Sequence, residues 1–368
     1  MKIVRGDHRD VIRQSLLFVA ITWVPIAALA LVNGHVRPEE NSFLRDLSLH
    51  VRLLIAIPLF FVAEDALDRL CNRTIATFSA SRLARATESD LDPVVPTLRR
   101  ATRWRDAAAV EGLLLLIVFG FAIGLWRATG RTGMLSEATA AMALSPARAW
   151  YGFVALPLFN FLFLRALYHW AIWSGILLKF SRLDLGTTPT HPDNAGGLEH
   201  LAEPTLGFTF FLMATSAVIA SVWGSQVLHE GVSAKTYLDQ FATLVILGEI
   251  LAFAPLLAFS SGLLHTRIKG LLEYGRLALT YTRAFHSRWI ESGNTEGLLG
   301  SSDIQSLADL SNSFEVVKKM RVVPFTPRQT IVVFAAIALP MVPLVLNEIG
   351  IDKLLEGVGH ALLGGGLP

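Results

Sequence analysis

Runs of about twenty apolar residues, separated by short segments crowded with arginine, constrain the fold of this chain more than any other feature. A helix rising 1.5 Å per residue needs about 20 apolar residues to cross a hydrocarbon core of about 30 Å. Six stretches reach or approach that length: 15–32, 107–126, 150–178, 205–228, 241–264 and 330–346. A seventh, 51–63, is short before it meets Glu64 and Asp65. Its helix is expected to begin near Leu47, with Arg52 snorkelling to the interface. Charged residues make up only 17% of the 368, against about 25% in soluble domains.

The basic residues test this count. With the N-terminus in the cytoplasm and seven spans, 23 Lys and Arg fall on the cytoplasmic side and 7 on the other; Arg52 and Arg165 lie within spans. That asymmetry follows the positive-inside rule, and omitting the short second span would put the arginine-rich 69–105 segment on the wrong side. The expected fold is therefore all-α: a polytopic transmembrane helical bundle of about seven spans, N-terminus cytoplasmic, with a small helical cytoplasmic face. The opening stretch also fits a cleavable signal peptide, but its length, Trp23 and Pro25 favour a retained span.

The chain reads as a single membrane domain, 1–368, with cytoplasmic helical extensions at 64–106, 183–204 and 265–327. In the first, the second span continues past the membrane through Leu67, Cys71, Ile75 and Phe78 and stops near Glu88–Asp92, where Pro93 and Pro96 interrupt it. In the third, Ile268, Leu271, Gly275, Ala278, Thr282, Phe285 and Trp289 form a stripe that predicts packing against another helix. That helix is expected to start at Ser302, with Gln305 completing a capping box, and to pack through Ile304, Leu307, Leu310, Phe314 and Val317.

Several functions are excluded by what is missing. A net charge of +2 gives no footprint for nucleic acid, and a lone cysteine, Cys71, allows no intrachain disulfide. No H-E-x-x-H, G-x-S-x-G or G-x-x-x-x-G-K-[ST] pattern occurs, so no catalytic residue, metal ligand or cofactor is assigned and the chain is not read as an enzyme. Arginine far outnumbers lysine, which suggests a GC-rich bacterial genome and hence the bacterial inner (plasma) membrane.

Charges inside a bilayer cost several kcal/mol and mark either a function or a structural pair. Arg165 and Glu249 each fall within an apolar run and are placed near the membrane midplane, where they could pair. His169 follows Arg165 by one turn on the same face: it could line a polar cavity or bond a neighbouring backbone. Glu64 and Asp65, with Asp106 and Glu111, form either an acidic vestibule or ordinary interfacial charge offset by Arg69, Arg103 and Arg105. The loop 187–198 carries His191, Asp193 and Asn194 between two prolines and Gly196-Gly197. It is either a binding loop for a cation or phosphate, or a tight turn in which Asp193 or Asn194 caps a short helix. Gly120 and Gly124 form a GxxxG pattern that permits close helix approach. The hydroxyls of the fifth span either face protein or water, or bond back to their own helix.

Thr190-His191-Pro192-Asp193-Asn194-Ala195-Gly196-Gly197-Leu198, with the segments Asp303 to Leu310 and Asn312 to Val317, resembles a family of uncharacterised bacterial multi-pass inner-membrane proteins. The resemblance implies an inner-membrane location and no particular activity. The function expected is a channel or transporter for ions or small solutes, with a non-transporting scaffold or sensor as the alternative. The partners expected are the lipid bilayer, a second copy of the chain, and a cytoplasmic protein.

Overall fold

A computed structural model describes residues 8–32, 43, 46–83, 94–105, 107–131, 146–292, 297 and 301–349, and among them every regular element is helical. α1 is His8–Val32. The second span does start at Leu47: Asp46 caps Leu47–His50 by accepting the Leu49 N–H at 2.9 Å, and π-wide turns over Val51–Ala56 lead into α2, Ile57–Leu83. α3 (Val94–Arg105) and α4 (Ala108–Arg131) meet at a 44° bend. α5 (Leu156–Phe180) extends a lead-in that begins at Pro146, and a 3-10 turn, Glu199–Ala202, opens α6 (Glu203–Glu230). α7 (Leu238–Phe253) continues through a 3-10 stretch into α8 (Ser260–Phe285), making a rod over Ala234–Glu291. α9 (Ser302–Lys319), α10 (Pro327–Ala338) and α11 (Val342–Ile349) complete the described chain. Six of these rods are long and apolar enough to cross a membrane, and the bent α3–α4 pair makes a seventh.

α6 is the central helix. Its Gly207 lies so close to α2 that an added Cβ would sit 2.6 Å from the Leu67 nitrogen, a contact only glycine permits. On another side the Ser216 hydroxyl donates to the Ile337 carbonyl of α10 at 2.6 Å. Aromatic rings fill the centre: Trp170 stacks on Phe208 at 4.3 Å, and Phe60, Phe163 and Phe208 surround Phe211. The other hydroxyls of α6 mostly bond back to their own helix, as Thr209, Thr215 and Ser221 do. Gln226 instead accepts from Tyr237 at 2.8 Å.

These contacts fix the depth of each residue. Glu64 follows the capping Asp46 by about 27 Å of helix, and Phe208, level with Trp170, precedes Gln226 by about the same rise. Asp46 and Gln226 thus stand at one level of the bundle and Glu64 and Trp170 at another, separated by close to the thickness of a hydrocarbon core of about 30 Å. α2, α5, α6 and the α7–α8 rod continue beyond the level of Glu64, on the side that carries α3 and α9.

Smaller expectations also change. The Arg52 guanidinium donates to the Tyr151 hydroxyl and lies over the Phe159 ring at 5.6 Å. Pro96 does not interrupt a helix but sits in the first turn of α3, where backbone N–H groups have no helical acceptor to lose. Glu88–Asp92, Pro93 and Asp106 lie outside the described residues. α8 and α9 do pack: a Cβ added to Gly275 would lie 3.9 Å from the Phe314 ring, and the Trp289 indole donates to Asp303 at 3.0 Å. Ile268 and Ile304, however, point away. Ser302 forms no capping box, because Gln305 donates to Asp309 instead. The box forms at Thr326–Gln329, where Pro327 presets the first turn. Among the described residues, nothing lies within 4 Å of where a Cβ on Gly120 or Gly124 would stand.

Candidate functional site

The charged residues converge in one layer where α2, α4 and α5 meet. Arg165 and His169 share one face of α5, one turn apart. Glu64 comes from α2 and Glu111 from the first turn of α4. The Arg165 guanidinium reaches Glu64 at 3.0 Å through Nη2 and Glu111 at 3.2 Å through Nε. The His169 Nδ1 lies 3.2 Å from the same Glu64 oxygen that Arg165 touches. His169 is 6% exposed and Glu64 16%, while Glu111 is 42% exposed. The layer thus has a closed side at Glu64–His169 and an open side at Glu111.

Further charges extend it. Asp65 pairs with Arg69 at 2.8 Å, one turn along α2. Asp68 accepts from Arg105, the last residue of α3, at 3.1 Å. The Tyr168 hydroxyl donates to the Trp104 carbonyl at 2.9 Å and ties α5 to α3. Arg165 Nε and His169 Nδ1 lie within ion-pair range of carboxylates without the alignment of a hydrogen bond. These two contacts are electrostatic and loosely directed.

The expected Arg165–Glu249 pair does not form. Glu249 lies on α7, apart from this layer, and its two carboxylate oxygens are buried with no hydrogen-bond partner among the described residues. The acidic residues read as a vestibule supply the actual partners of Arg165, namely Glu64 and Glu111.

The loop after α5 is a second polar cluster, built differently. Asp193 accepts three backbone N–H groups: Ala195 at 2.8 Å, Gly197 at 3.1 Å and Glu199 at 3.2 Å, the last opening the short helix before α6. Its Oδ1 also meets His191 Nδ1 at 2.7 Å. Burial opposes ionisation of Asp193, but these N–H groups and His191 outweigh it and hold the carboxyl below its ordinary pKa. Asn194, Gly196 and Gly197 take positive φ, which bends the loop around that carboxylate. Arg321, which the sequence did not flag, locks the loop from outside. Its guanidinium donates to the Asp193 carbonyl at 2.8 Å and to the Glu199 carboxylate at 2.6 Å, and its N–H donates to the Asn194 carbonyl at 2.6 Å. Gly270 admits Pro189, and Thr187 bonds Thr266 at 2.5 Å, so the loop seals against α8. This is the helix-capping turn, with the Asp193 carboxylate already occupied. Among the described residues, no three His, Cys, Asp or Glu side chains converge as a metal site.

No protein-family model matches the chain, and neither does any curated protein or solved structure. Its function is argued from its own residues.

Proposed function

We propose that this integral membrane protein is a channel or transporter for protons or other small ions, in which Glu64, His169, Arg165 and Glu111 form the binding layer. One observation carries the reading: His169 and Glu64 are a buried protonatable pair in contact with a single arginine. Among the described residues the layer sets four carboxylates, Glu64, Asp65, Asp68 and Glu111, against three guanidiniums, Arg69, Arg105 and Arg165. One proton held between Glu64 and His169 balances the count, and its loss leaves an excess negative charge for a cation to neutralise. Buried groups that gain or lose one charge between spans are the parts an ion path requires.

The arginine asymmetry supports an orientation with the N-terminus in the cytoplasm of a bacterium and the layer at the cytoplasmic mouth. The resemblance of the 190–198 loop and α9 to uncharacterised bacterial membrane proteins agrees with that location. No bond-making chemistry enters this reading, so the chain is not proposed as an enzyme.

The test is flux of protons, sodium, potassium and chloride in vesicles holding the purified chain. Flux of at least one ion, lost in Glu64→Gln and His169→Gln while both variants insert and melt normally, is the expected result. A parent protein that moves none of them would sink the reading.

A second reading, a scaffold or sensor, is favoured by the outward face of α8, where Leu272 and Leu279 are both more than half exposed. A partner that co-purifies and is lost when Ser302–Lys319 is deleted would support it; a chain that purifies alone would not.

A further inference from the structure

We propose that a groove between α3 and α5 holds the headgroup of an anionic phospholipid from the adjoining leaflet. The groove encloses about 440 Å³ and is lined by Arg100, Trp104, Tyr168, Ile172, Gly175 and Lys179, among others. It shares Arg100 and Trp104 with a neighbouring hollow of about 650 Å³, whose walls add Arg99 and Arg103. Among the described residues, no acidic side chain lines either space.

The sequence of α3 produces this arrangement. Leu98 and Ala101 turn toward the protein core, which leaves Arg99, Arg100 and Arg103 on the outer face. The helix's last arginine, Arg105, is held by Asp68, whereas Arg99, Arg100 and Arg103 form no ion pair among the described residues. Three like charges gathered on about two turns, with Lys179 facing them across the groove, repel one another unless an anion is present.

Depth selects the lipid. Trp104 stands one turn before α4 begins its apolar run, and Tyr168 adjoins the charged layer, so the groove opens at the edge of the hydrocarbon. Trp104 is 54% exposed, as an indole at a headgroup boundary would be. The floor of Ile172, Gly175 and Ile176 is apolar and suits the glycerol region, while Arg99, Arg100, Arg103 and Lys179 suit a phosphate. Basic pockets between spans at a membrane surface bind anionic headgroups in this way. A soluble phosphate would have no use for the apolar floor.

Native mass spectrometry of the full chain in detergent, titrated with phosphatidylglycerol and phosphatidylcholine of matched acyl chains, tests the assignment. One phosphatidylglycerol should be retained with a preference of about tenfold or more. Arg99→Gln/Arg100→Gln/Arg103→Gln should remove that preference, and Arg276→Gln/Arg283→Gln, on the exposed face of α8, should leave it intact. If the triple variant fails to fold, Lys179→Gln alone should reduce the preference by about threefold. The proposal is overturned by equal retention of the two lipids, by a preference that survives these groove substitutions or falls equally with the α8 pair, or by displacement of the lipid with millimolar inorganic phosphate.

Discussion

Two histidines in this protein each face a carboxylate, and the two pairs have opposite characters. His191 and Asp193 are the closer, at 2.7 Å, yet His191 is 37% exposed and Asp193 already accepts three backbone N–H groups. His169 and Glu64 are farther apart, at 3.2 Å, and both are far more enclosed than His191; no backbone donor to Glu64 is found among the described residues. Distance alone would rank the first pair higher. What separates them is the identity of the other partners. A carboxylate held by backbone N–H groups is fixed as an anion, because those donors cannot leave or change charge. A carboxylate faced by a histidine and a shared arginine can change state, because its partners are themselves ionisable or mobile. The first arrangement builds a loop, and the second can take part in transport.

The largest effect should come from Gly207→Ala, which tests whether the Glu64 layer depends on tight docking of α2 on α6. The added Cβ meets backbone atoms of Leu67 and Ala66, which cannot rotate away. A loss of about 3 kcal/mol is expected, with the helices forced apart close to Glu64. Thermal unfolding in detergent measures it; an unchanged melting temperature would show that α2 slides freely and that Glu64 has no fixed height.

Next, Glu64→Ala should cost about 2 kcal/mol, since it strips His169 and one contact of Arg165 from a largely enclosed position. Glu111→Ala removes the other contact of Arg165 but from an exposed carboxylate, and should cost under about 1 kcal/mol. The same unfolding assay compares them. Equal costs would erase the distinction between the closed and open sides of the layer.

Much of this was legible in the sequence. The apolar runs and the arginine census together located the spans, including the weak second one, because a bilayer imposes both length and charge asymmetry. Arg165 and His169 were seen to share a face, since i and i+4 do so in any helix. The partner of Arg165 was missed for a physical reason. Apolar residues such as Trp170, Trp173 and Leu177 are buried against other protein rather than exposed on the outside of the bundle. Hydropathy cannot separate burial in protein from burial in lipid, nor say which helix a charge faces, so Glu64 and Glu111, at the ends of their apolar runs, were not matched to Arg165. Arg321 was illegible for another reason: it bonds main-chain oxygens and Glu199 across more than a hundred residues, and no local pattern announces that. The capping box was misplaced because Ser302 and Thr326 begin equally good patterns, and only Thr326 is followed by a proline at the first helical position.

Asp193→Asn should cost about 2 kcal/mol, because an amide cannot accept all three N–H groups as a carboxylate does. The pH dependence sharpens the contrast between the two pairs. The folded Asp193 carboxyl has a lowered pKa, so the unfolded chain binds its proton more readily. Its stabilisation is complete above the ordinary carboxylate value near about 4 and is lost as pH falls through the folded value. Hydrogen exchange over 183–202 should therefore quicken in acid for the parent chain, while Asp193→Asn should show the faster exchange at neutral pH. Protection that is indifferent to acid in the parent would mean that the charge on Asp193 does not hold the loop.

The smallest effect should be that of His191→Ala. The ring rests on Gly197 and contacts Asp193 from the solvent side, leaving the three N–H bonds of Asp193 in place when it is removed. An exposed pair of this kind contributes under about 1 kcal/mol, and less in salt. Flux in vesicles should be unchanged, whereas His169→Ala, inside the layer, should abolish it. A reversal, with flux lost on removing His191 and kept on removing His169, would move the functional site from the bundle to the loop, because it would mean that the shorter and more exposed pair is the one whose proton matters.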